Sequence, residues 1–268
     1  MPDEKPKGSA LVTGATSGVG RVVALHLASQ GMRVAGLGRD TAALAELENS
    51  GVLAIQADVR DAGALRRAFD RAESEHGPAD LVIACAGAAA ALGPAVELDA
   101  DAWWQDVTTD LLGTFLTVQE AARRMVPRRS GRLVTTYGNL GDRGTPNLSA
   151  FASSKAAVAR LSECLAAELG EAGVRVFCVH PGFVRTRMTE ALAWGEAGQR
   201  YLPRFGERAE AHWGDGRAAA ALVDAIRAGR ADALTGRVLF VDDDLAALSE
   251  QATRSQDLRR LRISLEPS

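Results

Sequence analysis

Short β-branched and aliphatic runs alternate with longer segments of helical period along almost the whole of this chain, and that alternation limits its fold more than any other feature. The runs are 10–13, 33–37, 52–56, 81–85, 132–136, 174–179 and 237–241, and the helical stretches between them include 19–30, 62–75, 103–125, 153–169 and 216–228. Strand and helix in strict turn predict parallel strands joined by right-handed helical crossovers, with helices on both faces. The expectation is an α/β single-domain, doubly wound, seven-stranded parallel sheet with six main helices. Residues 9–245 form that domain, between a polar N-terminal leader at 1–8 and a C-terminal extension at 246–268. No linker rich in Pro, Gly or Ser divides it, and no internal repeat is present.

Charge and composition narrow the function classes. A formal net charge of -3 and dispersed rather than clustered arginines give no basic footprint for nucleic acid. No apolar run approaches the roughly 20 residues of a membrane helix, and the Met1-Pro2-Asp3-Glu4-Lys5 start lacks the apolar run of a signal peptide. The expectation is a cytoplasmic protein with a small-molecule substrate, no nucleic acid and no membrane. Cys85, Cys164 and Cys178 lack metal-ligand spacing and sit in apolar contexts, so reduced thiols and no metal are expected.

After the first strand the chain reads Thr13-Gly14-Ala15-Thr16-Ser17-Gly18-Val19-Gly20, then a helix. Glycines there permit a tight turn and close approach of backbone N–H groups to a pyrophosphate, whose charge the helix N-terminus favours. This segment resembles the T-G-x-x-x-G-x-G fingerprint of the short-chain dehydrogenase/reductase family, and the resemblance covers nearly the whole chain. It implies a Rossmann-like fold and a nicotinamide cofactor held by Thr13, Gly14, Thr16, Ser17, Gly18, Val19 and Gly20. Asp58-Val59 matches the pair that meets the adenine ring in that family. Ala86-Gly87 matches the last half of its N-N-A-G position, and Pro181-Gly182-Phe183-Val184-Arg185-Thr186 matches the P-G-x-V-x-T segment at the nicotinamide, adding Pro181, Gly182, Val184 and Thr186 to the cofactor set.

The end of the second strand reads Leu37-Gly38-Arg39-Asp40. An acid there accepts from a ribose 2′-OH, whereas arginine grips a 2′-phosphate. Gly38 stands where an acid is usual in NAD-type family members and Arg39 follows, so NADP(H) is favoured over NAD(H). Arg39 can also be read as a solvated loop residue, and Asp40 weighs the other way.

The catalytic end departs from the family, whose members use Asn, Ser, Tyr and Lys, the last two as Y-x-x-x-K. Residues four apart share a helix face, so the lysine lies beside the phenol and lowers its pKa from about 10. Here the segment is Phe151-Ala152-Ser153-Ser154-Lys155, without the phenol. Gly138 falls at the serine position and Asp110 at the asparagine position. Lys5, Lys7 and Lys155 are the three lysines, so Lys155 alone can fill the lysine position. It either hydrogen-bonds the nicotinamide ribose or transfers a proton itself. Asp110 is read as a partner of Lys155, or else as a solvated helix residue. Tyr137, Asn139, Asp142, Tyr201 and His212 are candidates to face the substrate, with packing or exposure the alternative for each.

Segment 186–214 carries Trp194, Tyr201, Phe205, His212 and Trp213 and reads as a substrate lid, or as a surface helical pair with packing aromatics. Small residues on 153–169, together with the helix 103–125, predict a homodimer or homotetramer by the family's usual helix packing. Three functions compete. The preferred one is an atypical NADP(H)-dependent oxidoreductase acting on a carbonyl, enone or imine, of a polycyclic natural product for instance, with substitute or substrate-assisted proton transfer. The others are a non-redox cyclase, dehydratase or isomerase on the same scaffold, and a catalytically inactive family member.

Overall fold

The computed structural model describes residues 7–138, 144–255 and 258–261. Seven strands run parallel: β1 (Ser9–Thr13), β2 (Arg33–Gly38), β3 (Leu53–Gln56), β4 (Leu81–Ala84), β5 (Gly131–Thr136), β6 (Val174–His180) and β7 (Val238–Phe240). Their spatial order is β3-β2-β1-β4-β5-β6-β7. The order reverses direction between β1 and β4, and the C-terminal ends of these two strands therefore open the crevice in which ligands of doubly wound sheets bind.

Period-two alternation along each strand divides the core in two. Ala10, Val12, Ile83, Phe177 and Val179 face one side, where α1 (Gly18–Ser29) and α10 (Arg217–Arg227) pack together with Leu27 and Ile226 fully buried. Leu11, Val82, Leu133 and Val176 face the other, against α3 (Ala62–His76) and α5 (Gly113–Met125) through Phe69, Val118 and Met125. Strands buried on both faces are why these runs read as continuously apolar.

Aspartates start several helices. Asp61 accepts from Ala64 N at the head of α3, and Asp99 accepts from Ala102 N at the head of α4 (Ala100–Val107). Asp40 accepts from Ala42 N and Ala43 N at the head of α2 (Thr41–Glu48). Helix α2 is absent from the stretches read by periodicity, because eight residues are too few to display a period. The expected 103–125 helix starts earlier, at Ala100, and is interrupted by a π-helical turn at Thr108–Leu112 before α5. Helix α6 (Ser149–Leu169) starts one turn before the expected 153.

Segment 186–214 holds three short helices rather than a pair: α7 (Arg187–Trp194), α8 (Glu196–Tyr201) and α9 (Phe205–Glu210). Helix α11 (Leu245–Arg254) lies mostly in the expected C-terminal extension, yet its Leu248 is buried in the α1-side core and Leu258 packs there too. No helix among the described residues is long and apolar enough to cross a membrane.

Candidate functional site

The β1–α1 turn is built for close approach. Gly14 has φ +68°, and a Cβ on it would lie 2.8 Å from the backbone N and Cα of Ala86. Gly18 has φ +53°, and its Cβ would stand 2.9 Å from Thr186 Cγ2. Gly20, inside α1, leaves room for the Gly14 carbonyl. Thr13 Oγ1 accepts from Cys85 N and Ala86 N at 3.2 and 3.4 Å, tying the ends of β1 and β4 together. The N-terminus of α1, with Ser17 and Val19 at its first turn and no side-chain cap, therefore opens into the crevice between β1 and β4. Those donors and the space that only glycine leaves suit the pyrophosphate of a dinucleotide.

At the far end of that crevice, a Cβ on Gly38 would meet the Thr16 side chain, 2.8 Å from its Oγ1, so the place of an acidic side chain is filled. Arg39 is exposed and has no ion pair among the described residues. The Asp40 carboxylate accepts from Ala42 N and Ala43 N at the α2 N-terminus. Asp58 is gripped by Arg60, Nε to Oδ1 at 3.0 Å and Nη2 to Oδ2 at 2.6 Å, and this bond holds its carboxyl below the usual range. Val59 is buried against Gly113, where a Cβ would come within 2.5 Å of it.

The other end gathers Ala86, Gly87, Asp110, Gly138, Phe151 and Lys155. A Cβ on Gly87 would be 3.0 Å from Asp110 Oδ1 and 3.6 Å from Lys155 Nζ. Asp110 has no exposed surface, and Lys155 is 5% exposed. Asp110 Oδ1 accepts from Ala88 N at 2.8 Å and lies 3.9 Å from Lys155 Nζ, an ion pair rather than a hydrogen bond. Asp110 Oδ2 is buried with no partner. Burial raises its carboxyl to about 6 against the opposing pull of Lys155 and the Ala88 bond, and Asp106 adds to the rise. Lys155 Nζ also reaches the Thr136 carbonyl at 3.5 Å and sits 5.4 Å from the centre of the Phe151 ring. A Cβ on Gly138 would be 2.9 Å from that ring, so the glycine and the phenylalanine fit as a pair. The Cys85 thiol is pushed up to about 11 by burial and stays protonated.

Pro181 and Gly182 lead from β6 to Val184, which bridges to Gly214, and to Thr186, which caps α7 in a reciprocal pair with Thr189. The remaining candidates have their own surroundings. Tyr137 is 6% exposed and packs with Val158, Ala159 and Cys178, its ring edge-on to His180. Tyr201 donates to Glu97 Oε2 at 3.2 Å, and His212 Nδ1 lies 2.9 Å from the Arg208 carbonyl on an exposed turn. Asn139 and Asp142 lie outside the described residues.

Asp106, Arg60 and Thr189 were missed from sequence. Asp106 is buried and accepts from Ala91 N at 2.7 Å, so with Asp110 it holds the alanine-rich loop that follows β4. The two aspartates four apart in the helical stretch after Trp103 and Trp104 were the available signal.

Known proteins match this arrangement. A family model described as short chain dehydrogenase matches residues 9–196. Cis-4-hydroxycyclohexanecarboxylate dehydrogenase of Sinomonas cyclohexanicum is 36% identical over 189 residues, which cover 68% of this chain and 76% of that protein. A 3-oxoacyl-(acyl-carrier-protein) reductase of Staphylococcus aureus is 33% identical over 192 residues, 69% of this chain and 78% of that protein. Among solved structures, a variant of actinorhodin polyketide ketoreductase, determined with NADPH, is 28% identical with a TM-score of 0.77, covering 87% of this chain and 95% of that one. Because the sequence match runs unbroken from β1 through the glycine turn, Lys155 and the start of α8, this chain belongs to the short-chain dehydrogenase/reductase family of nicotinamide-dependent oxidoreductases.

Proposed function

We propose that this chain is an NADP(H)-dependent oxidoreductase that moves a hydride to or from a small-molecule carbonyl, conjugated enone or imine, without a phenol at the reacting oxygen. The observation that carries the reading is a contrast within one cleft. The approaches at Gly14 and Gly18 leave the space a dinucleotide needs, while the Phe151 ring stands one helical turn from Lys155 where the family places its tyrosine. When bound, the reduced cofactor supplies the hydride. The α1 N-terminus takes the pyrophosphate, Lys155 binds the nicotinamide ribose, and the Phe151 ring keeps water from the face beside Gly138. Thr16 over Gly38 and the unpaired Arg39 support a 2′-phosphate and hence NADP(H). Helices α7 to α9 serve as the substrate lid.

Losing a general acid costs about 10²- to 10⁴-fold, or roughly 3 to 5 kcal/mol of barrier, so acceptors that need little proton help suit this site. Deuteride-labelled NADPH offered with ketones, enones and cyclic imines should deliver deuterium to at least one of them. Turnover that persists with oxidised cofactor, or with none, would overturn the redox reading in favour of cyclisation, dehydration or isomerisation.

A further inference from the structure

We propose that Asp110 and Lys155 act as one acid, which gives up the proton that a phenol at position 151 would have supplied. The proposal rests on the oxidoreductase reading above and names the proton source that reading leaves open.

Among the described residues, the ionisable groups around this end of the cleft include Asp106 and Asp110 from the α4–π-turn segment, Lys155 from α6, Cys85 at the end of β4 and Cys178 on β6, whose thiol feels the Lys155 charge. Burial keeps the protons on the Cys85 and Cys178 thiols, and the Asp106 carboxylate accepts from Ala91 N. Asp110 differs from all three. One of its oxygens is bonded to Ala88 N and faces Lys155 at 3.9 Å, and the other is buried with nothing to accept from. An unsatisfied buried carboxylate oxygen is costly, and a proton on Oδ2 relieves that cost.

Charge explains why the pair gives up a proton readily. With Asp110 as the acid and Lys155 as the ammonium, the pocket holds one uncompensated buried cation. Once a proton has left, it holds a carboxylate and an ammonium close together, and their attraction offsets part of the cost of burying the carboxylate.

In ketone reduction a bound reduced nicotinamide would supply the hydride for the new C–H bond, and the C=O electron pair would pass to the ketone oxygen. That oxygen takes a proton from the Lys155 ammonium, across one water where the distance requires it. The amine left behind is reprotonated from Asp110 once rotation of the carboxyl brings the protonated oxygen to Nζ, leaving the carboxylate–ammonium pair, and solvent returns a proton to Asp110 by way of Lys155, the more exposed of the two, for the next turnover. Lys155 is the group that meets the reacting oxygen, and Asp110 is a positioning and proton-supplying residue acting through it. With Asp110 raised to about 6, the acid form is present in about a tenth of molecules at pH 7 and dominates below pH 6.

The test compares wild type with Asp110→Asn, which keeps the acceptor for Ala88 N but carries no transferable proton. The probes are cyclohexanone, which needs a proton, and N-methyl-3,4-dihydroisoquinolinium, which takes a hydride and needs none. The ketone-to-iminium rate ratio should fall by about 10²-fold or more in Asp110→Asn. The wild-type ketone rate should fall tenfold per pH unit above about pH 6, and the variant should lose that slope. In cofactor-free protein, infrared difference spectra should show a protonated carboxyl that titrates near pH 6 and is missing from Asp110→Asn. An unchanged ratio, an unchanged pH slope, or no carboxyl band lost in the variant would overturn the proposal. If neither probe is reduced by wild type, the oxidoreductase reading is in question, while the infrared titration still decides on Asp110.

Discussion

Replacing Asp110 by Asn should change folding stability in a way that depends on pH. The carboxyl lies at about 6 in the folded chain against 3.8 for the free group, because burial disfavours its charge more than Lys155 and Ala88 favour it. A raised acid pKa means that stability from this group is fully present below pH 3.8 and is lost as pH rises through 6. The shift corresponds to about 3 kcal/mol in total, of which roughly half is lost between pH 5 and pH 8. The side-chain amide of the Asp110→Asn variant does not titrate, so the variant should gain on wild type by about 1–2 kcal/mol between those two pH values, or about 2–4 °C in melting temperature. Urea unfolding of both proteins at pH 5 and pH 8, without cofactor, measures this directly. A stability difference that is the same at both pH values, or that moves against the variant at pH 8, would refute the argument that burial of this carboxyl outweighs its ion pair.

Three other outcomes follow from the site. Arg39→Ala should weaken NADPH binding about tenfold with little effect on NADH, as measured by calorimetry, and Gly38→Asp should weaken binding of both because its Cβ meets Thr16. Phe151→Tyr should raise cyclohexanone reduction at least tenfold by placing a phenol one helical turn from Lys155, whereas Gly138→Ser alone should lower the melting temperature because its Cβ falls 2.9 Å from the Phe151 ring. Gly14→Ala should cost more than ~1 kcal/mol of stability and abolish dinucleotide binding in the same calorimetric titration, since φ is +68° and Ala86 backbone lies 2.8 Å from the new methyl.

The alternation of strand and helix was legible because it is a local, repeated signal. A period of two or 3.6 recurs within each short segment, and a parallel sheet then follows from the crossovers, so β1 to β7 were each placed to within about two residues. Helix α2 escaped because it spans only two turns. The π turn escaped because Thr108, Thr109 and Asp110 look from sequence like ordinary positions on one long helix. Among the chemistry-bearing residues, the glycine turn and the missing phenol were readable because each is defined by neighbours a few positions away in the chain.

The sequence by itself determined that this chain has a dinucleotide-type turn after its first strand and that Lys155 follows a phenylalanine rather than a tyrosine by four residues. Only the tertiary structure decided what those residues do to one another. Tyr137 packs with Val158, Ala159 and Cys178, the Tyr201 hydroxyl donates to Glu97, and His212 lies on an exposed turn. Asp110 was sealed between the loop after β4 and Lys155 with one oxygen unpaired, and Thr16 was set over Gly38. The physical reason is that burial and desolvation, which set the charge state of a carboxyl, depend on segments that are distant in the chain and meet only when it packs, and no local pattern records which of them will meet.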